Sequence, residues 1–475
     1  MEYIENRTFE ELQVGDSAEI TRTLRHDDIE LFAVMSGDVN PAHVDPEYAA
    51  SDMFHRVIAH GMWGGALISA VLGTELPGPG TIYLDQSLQF RRPVGLGDTV
   101  TVRVTVAEKY PDTRRLKLAC ECLNQEGKQV IVGEALVIAP SEKVRRPRVT
   151  LPEVHLHERG ARHRELVKLA APYEPIRVAV VQPVNAASLH DALDAKEEGL
   201  IEPVLVGPEA KIRRAAEEID RSLDGVTLEA VPHSHAAAAR AVELARTGKV
   251  DALMKGAIAM DELMDAVLAP EALATERRAS HVHVLDVPTY PKPLLITDAA
   301  LLAYPTLADK RDIVRNAVDL AKSLGIEAPK VAILSASEVV DPRIRSTMEA
   351  AALCKMAERG QIAGAVVDGP LAFDSAISRK AAAANGVAGL VAGDADVLVV
   401  PDLEAGTLLV KELVHLAGAD SAGIILGARV PAIIPGRSDG ALPSLASAAL
   451  AKLYLHRGDR GTALASGDPS REDAA

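Results

Sequence analysis

Aromatic side chains are scarce in this chain: Phe, Tyr and Trp make up 3% of 475 residues. A surface built to stack nucleobases needs such rings, so a base-stacking platform is not expected. Net positive charge is also missing. The balance is −16 at pH 7, which argues against nucleic acid and against an anionic membrane surface as partners. A small anionic cofactor such as coenzyme A needs only a local basic clamp and stays open. No apolar run reaches about 18 residues, so no membrane span is expected. The first residues, Met-Glu-Tyr-Ile-Glu-Asn, are acidic and lack an apolar segment, so no signal peptide is expected. Cysteine is rare as well: Cys120, Cys122 and Cys354 are the three. Cys120 and Cys122 share one face of an alternating run, and a metal site would need two more ligands near them. None is evident, so no metal is expected. All three read as reduced packing residues of a reducing compartment, the cytoplasm.

Apolar residues, by contrast, make up 48% of the chain, enough for folded structure throughout. The length exceeds one ordinary core. Residues 61–72 are apolar and small and predict a buried helix. Strand-like runs follow at 81–93, 98–108, 115–123 and 130–138, and 99–106 alternates Thr, Val and Arg with period two. A long helix followed by a meander that wraps it predicts an α+β hotdog domain over 1–140. Residues 141–172 predict a linker, with Lys143, Arg145, Arg146 and Arg148 as a solvated basic cluster, and then a charged helix over 158–171. From 173 to 457 the pattern changes. Short apolar strands at 178–181, 204–206, 252–254, 331–334, 365–367, 397–400 and 422–426 alternate with helical segments. That order predicts an α/β domain of two lobes with a largely parallel sheet and a cleft between the lobes. The polar residues 458–475 are expected to be disordered.

The most telling short stretch is Gly37-Asp38-Val39-Asn40-Pro41-Ala42-His43. Its spacing suits a turn entering a helix, with the Asp38 carboxylate and the His43 imidazole converging. Such a pair handles protons near neutral pH. The same residues also fit an Asx turn and helix cap with a surface His. With Phe32, Ser36, Ala49 and Ala59-His60-Gly61-Met62 around it, the run resembles the hydratase-2 motif of MaoC-like (R)-specific enoyl-CoA hydratases, over roughly the first 140 residues. The resemblance implies hydration of a trans-2-enoyl-CoA to the (R)-3-hydroxyacyl-CoA. It implies that Asp38 and His43 hold a water and move its proton, that Asn40 orients the pair or its loop, and that the Gly61 N–H meets the thioester oxygen at a helix N-terminus. His60 is read as packing or capping, and Met35 as a volume-tolerant departure from the motif. Arg91 and Arg92 are either contacts to CoA phosphates or plain exposed charges.

A second set of stretches lies in the α/β part: 251–256 (DALMKG), 366–374 (VVDGPLAFD), 400–407 (VPDLEAGT) and 428–439 (ARVPAIIPGRSD). Most follow an apolar strand, where open α/β sheets place ligands. Lys255 and Gly256 suit an approaching phosphate, and Arg437 offers a planar fork to phosphate oxygens. Asp439 is placed to accept a thiol proton. Each has a structural alternative: a strand-end charge, an ion pair, a helix cap. In order, these stretches resemble phosphate acetyl/butyryltransferases. The resemblance implies acyl transfer between CoA and inorganic phosphate, with Asp374 and Lys411 as weaker binding candidates. CoA thioesters and phosphate would be substrates, with no permanently bound cofactor and a homodimer or higher homo-oligomer as the assembly. Two residues depart from that pattern: Gly436 stands where the family usually has Ser, and Thr407 where it has Asn. A lost hydroxyl near a phosphate removes roughly 1–3 kcal/mol of interaction. The chain is therefore expected to be either a bifunctional enzyme or a hydratase joined to an acyl-CoA-responsive regulator.

Overall fold

The computed structural model describes residues 3–151, 154, 156, 158–435 and 441–458. They form two compact units, 1–156 and 157–475.

In the first unit, five antiparallel strands lie in the order Ser17–Thr23, Thr99–Tyr110, Arg115–Asn124, Gln129–Ile138, Ile82–Phe90. The period of two in Thr99–Tyr110 turns Val100, Val102, Val104 and Val106 into the core. Each contributes about 1.5–3 kcal/mol of burial before chain entropy is counted. The helix Gly61–Thr74 lies against this sheet and buries Trp63, Ile68, Val71 and Leu72 in the same core. This is the hotdog arrangement. The helix His26–Ser36 escapes the sequence reading because only Ile29 and Ala33 of its face are buried.

The basic cluster read as a solvated linker is tied to the first unit. Arg145–Pro147 pairs antiparallel with Tyr3–Glu5. Lys143 reaches Glu5 and Glu11, Arg148 reaches Glu75, and the Val144 N–H donates to Asn6 Oδ1. Exposed ion pairs are worth about 0–1 kcal/mol each, so the backbone pairing carries most of this attachment. The charged helix expected over 158–171 runs from Ala161 to Ala170 and belongs to the second unit.

Among the described residues, the second unit is built on one sheet of eleven strands. Their order is Thr227–Ala230, Ile201–Gly207, Ile176–Val181, Ala252–Lys255, Ala432–Ile433, Asp420–Leu426, Ser280–Asp286, Leu294–Thr297, Val397–Val399, Lys330–Leu334, Val366–Leu371. The first five run parallel to one another and so do the last four, while the three joins at the centre are antiparallel. The two expected lobes therefore share a single sheet. Following the pairings across it, the two parallel blocks run in opposite directions. Their carboxyl ends leave the sheet at opposite ends. One core covers one face along its length, and two separate cores cover the other, one over each block.

The central strands Ser280–Asp286 and Leu294–Thr297 have no counterpart in the sequence reading. His281 and His283 break the apolar run of the first of them, and a His is read as polar. In the fold these two imidazoles lie against each other with ring centroids 4.1 Å apart and their planes tilted by 59°. Burial lowers both basicities: His283 is pushed down to about 4 and His281 well below the usual histidine range. Both are neutral at pH 7; His281 is buried, and His283 is partly buried with Nδ1 3.3 Å from the Ser421 hydroxyl.

Candidate active sites

The first site grows from the end of the helix His26–Ser36. Gly37 closes it with φ 76°, and its N–H donates to Ala33 O. Glycine adopts that left-handed conformation without the strain a side chain would bring. The chain then turns. The Asn40 N–H donates to Asp38 Oδ1 at 3.2 Å, and Asn40 Oδ1 accepts from the Ala42 N–H at 3.1 Å, capping the short helix Pro41–Val44. The Asx turn and cap thus form, and they do not exclude a site: they aim it. His43 Nδ1 lies 2.9 Å from Ile58 O. A carbonyl only accepts, so Nδ1 carries the proton and Nε2 is left as a base. One ligand-type atom from each of Asp38, His43 and His60 lies within 4.8 Å of the others. Asp38 is exposed and His43 half-buried.

Gly61 opens the helix Gly61–Thr74, and a Cβ there would lie 3.1 Å from Phe90 Cε1. Arg91 and Arg92 follow Phe90 directly at the end of the edge strand. Both are exposed; Arg91 bonds Gln89 and Arg92 bonds Gln129 O. Met35, Val39, Met62 and Phe90 present exposed apolar surface on these same segments. His60 occupies the N-cap position of the helix but makes no side-chain cap bond. Its Nε2 lies 2.9 Å from Asp38 O instead. Spacing did not reveal this contact, because it joins residues 22 apart.

In the second unit, Lys255 ends a strand that pairs in parallel with Ala432–Ile433, with Leu253 opposite Ala432 and Met254 opposite Ile433. Continuing that register sets Lys255 and Gly256 beside Ile434 and Pro435. Two of the four sequence stretches are thus brought to one end of the sheet. Gly436, Arg437 and Asp439, which come next, lie outside the described residues, as does the tail expected to be disordered beyond 458. Lys255 is half-buried and its Nζ donates to Gly256 O at 3.2 Å. Gly256 sits against the neighbouring strand: its N–H donates to Val181 O, and a Cβ would lie 2.6 Å from Val181 O and 2.8 Å from Gln182 O. Backbone oxygens at that distance must move. Gly256→Ala is therefore expected to cost the second unit about 1–3 kcal/mol, read from its denaturant midpoint by circular dichroism. An unchanged midpoint would mean that the strand ends have room to spare.

The other two stretches also follow strands, but in the oppositely directed block. Asp374 is exposed in the first turn of Phe373–Ile377, and Lys411 is exposed in the helix Leu403–His415. No described contact joins either to Lys255. The Thr407 hydroxyl donates to Ala299 O at 3.0 Å. The cysteines are unpaired. Burial pushes their thiols up to about 11 for Cys120, about 12 for Cys122 and about 11 for Cys354, so none is a ready thiolate. Among the described residues, no helix is long and apolar enough to cross a membrane.

Residues 222–451 match the family described as "Phosphate acetyl/butaryl transferase", and residues 10–121 the "MaoC like domain". The chain is 52% identical over 298 residues to a phosphate acetyltransferase of Rhizobium meliloti, covering 62% of this chain and 94% of that protein. A branched-chain phosphotransacylase structure from Enterococcus faecalis V583 is similar at 30% identity and TM-score 0.53, covering 59% of this chain and 99% of that one. The structure of R-hydratase PhaJ1 from Pseudomonas aeruginosa is similar at 48% identity and TM-score 0.32, covering 33% of this chain and 100% of that one.

Proposed function

The chain belongs to the phosphate acetyl/butyryltransferase family and carries a MaoC-like domain, and from that premise we propose a cytoplasmic, bifunctional acyl-CoA enzyme of fatty acid metabolism. The first unit hydrates a trans-2-enoyl-CoA to the (R)-3-hydroxyacyl-CoA. The second transfers an acyl group reversibly between CoA and phosphate. CoA thioesters and phosphate are the substrates, and neither reaction calls for a bound cofactor.

The observation that carries the hydratase reading is the convergence of the Asp38 carboxylate and the His43 ring, held by the Asn40 turn and the Ile58 carbonyl. A water between Asp38 and His43 Nε2 loses a proton to this pair as its oxygen bonds C3 of the substrate. The pair delivers a proton to C2. Negative charge gathers on the thioester oxygen in between. The Gly61 N–H at the start of the helix Gly61–Thr74 is suited to receive it. Arg91 and Arg92, directly after the Phe90 ring that faces Gly61, suit the phosphates of CoA.

For the transferase, Lys255 and Arg437 would hold phosphate oxygens and Asp439 would take the CoA thiol proton. The thiolate then bonds the acyl carbon and phosphate leaves. Running backward, phosphate attacks the thioester and CoA leaves. A regulatory reading of this unit is favoured by one observation: the Thr407 hydroxyl is already used by Ala299 O. Release of CoA from acetyl-, butyryl- and longer acyl-CoA with phosphate present separates the two readings, because a regulator releases none.

Among the described residues, the edge strand Ile82–Phe90 pairs on one side only, and it exposes Ile82, Leu84 and Phe90. An unprotected edge favours pairing with another chain. A homodimer or a multiple of it is expected in sedimentation, and a stable monomer at micromolar concentration counts against it.

A further inference from the structure

Resting on the hydratase reading, we infer that His60 is a positioning residue which fixes the distance between the proton-handling pair and the oxyanion donor. His60 is 2% exposed. Its ring lies between Phe32, with centroids 4.9 Å apart, and His43, with centroids 4.1 Å apart. Its Nε2 is 2.9 Å from the carbonyl oxygen of Asp38. A carbonyl only accepts, so Nε2 carries the proton. Nδ1 is enclosed and has no hydrogen-bond partner among the described residues. The ring therefore makes one polar contact, and that contact is to the backbone of the reacting carboxylate.

The place of His60 in the chain gives that contact its meaning. The residue immediately after it is Gly61, which starts the helix Gly61–Thr74. Water activation at C3 and enolate stabilisation at the thioester oxygen act on atoms three bonds apart in the substrate, so the two halves of the site must keep a set separation. The Asp38 loop arrives from one helix and Gly61 from another. His60 bridges them directly: its backbone leads into Gly61, its ring packs on His43, and its Nε2–H holds the Asp38 loop.

The two ring nitrogens can be tested separately. The side-chain nitrogen of Gln takes the place of Nε2, and that of Asn the place of Nδ1. In the full chain, His60→Ala and His60→Asn are expected to lower kcat for crotonyl-CoA hydration by about 10–100-fold, with KM changed less than about threefold. His60→Gln is expected to stay within about threefold of the parent in kcat. All three variants lose the aromatic packing, so unfolding temperatures are expected to fall alike. A packing role alone would not separate Gln from Asn. His60→Gln as slow as His60→Ala, or His60→Asn as fast as the parent, overturns the inference. Histidine ¹⁵N shifts give a readout that does not depend on activity: an Nδ1–H tautomer on His60 overturns it as well. Asp38→Asn serves as the control. If Asp38→Asn is inactive while His60→Ala keeps the parental rate, the role of His60 alone is wrong. If Asp38→Asn keeps the parental rate, the hydratase site itself is wrong.

Discussion

Asp38→Asn is expected to slow hydration of crotonyl-CoA by about 10²–10⁴-fold, the usual contribution of a positioned acid or base. The substitution is sparing. Asn keeps an oxygen that can accept from the Asn40 N–H, so the turn that aims the side chain is preserved. Asp38 is exposed, so its replacement disturbs no core. What is lost is the charge that takes up the water's proton. His43→Ala is expected to fall in the same range, because Nε2 is the other proton-handling atom. The two act on one water, so the double variant should be little worse than the slower single one. Parental rates in both single variants would remove this pair from the reaction.

Arg437→Ala is expected to remove about 2–4 kcal/mol of transition-state stabilisation from phosphate-dependent release of CoA, which is roughly 30–1000-fold in rate. The reasoning is chemical: charge on the transferring phosphate changes as the acyl bond breaks, and a guanidinium fork meets two oxygens at once. Gly436→Ser is expected to leave turnover similar or to raise it, since it adds a hydroxyl donor next to that arginine. A parent that forms no acyl phosphate favours the regulatory reading. In that case acetyl-CoA or a longer acyl-CoA should change hydratase kinetics from outside the hotdog unit. Turnover that survives Arg437→Ala would mean that another group holds the phosphate, whatever the reaction.

The amino-acid sequence by itself determined whatever depends on neighbours in the chain. Alternating Thr and Val over 99–106 can satisfy a half-buried strand and little else. The small apolar run from Gly61 fits a helix that a sheet can close around. Asn40-Pro41 sets a turn and a cap, and with them the approach of Asp38 to His43. The order of short strands and helices after residue 173 made a largely parallel sheet legible. What remained depends on partners far along the chain. Local period does not encode the direction of a strand relative to one a hundred residues away, so the reversal between the two parallel blocks emerged only in the fold. That reversal puts the carboxyl end of the strand leading to Asp374 at the end of the sheet opposite Lys255. His281 and His283 read as polar interruptions, and only their contact with each other and the burial of His281 set them inside the sheet. The basic residues 143–148 read as a solvated connector until acidic partners near residue 5 were brought beside them. His60 read as a packing or capping residue because its further contact is one hydrogen bond to a loop 22 residues away. Propensity and period are properties of a segment; direction, pairing and burial of polar groups are decided by what the rest of the chain packs against it.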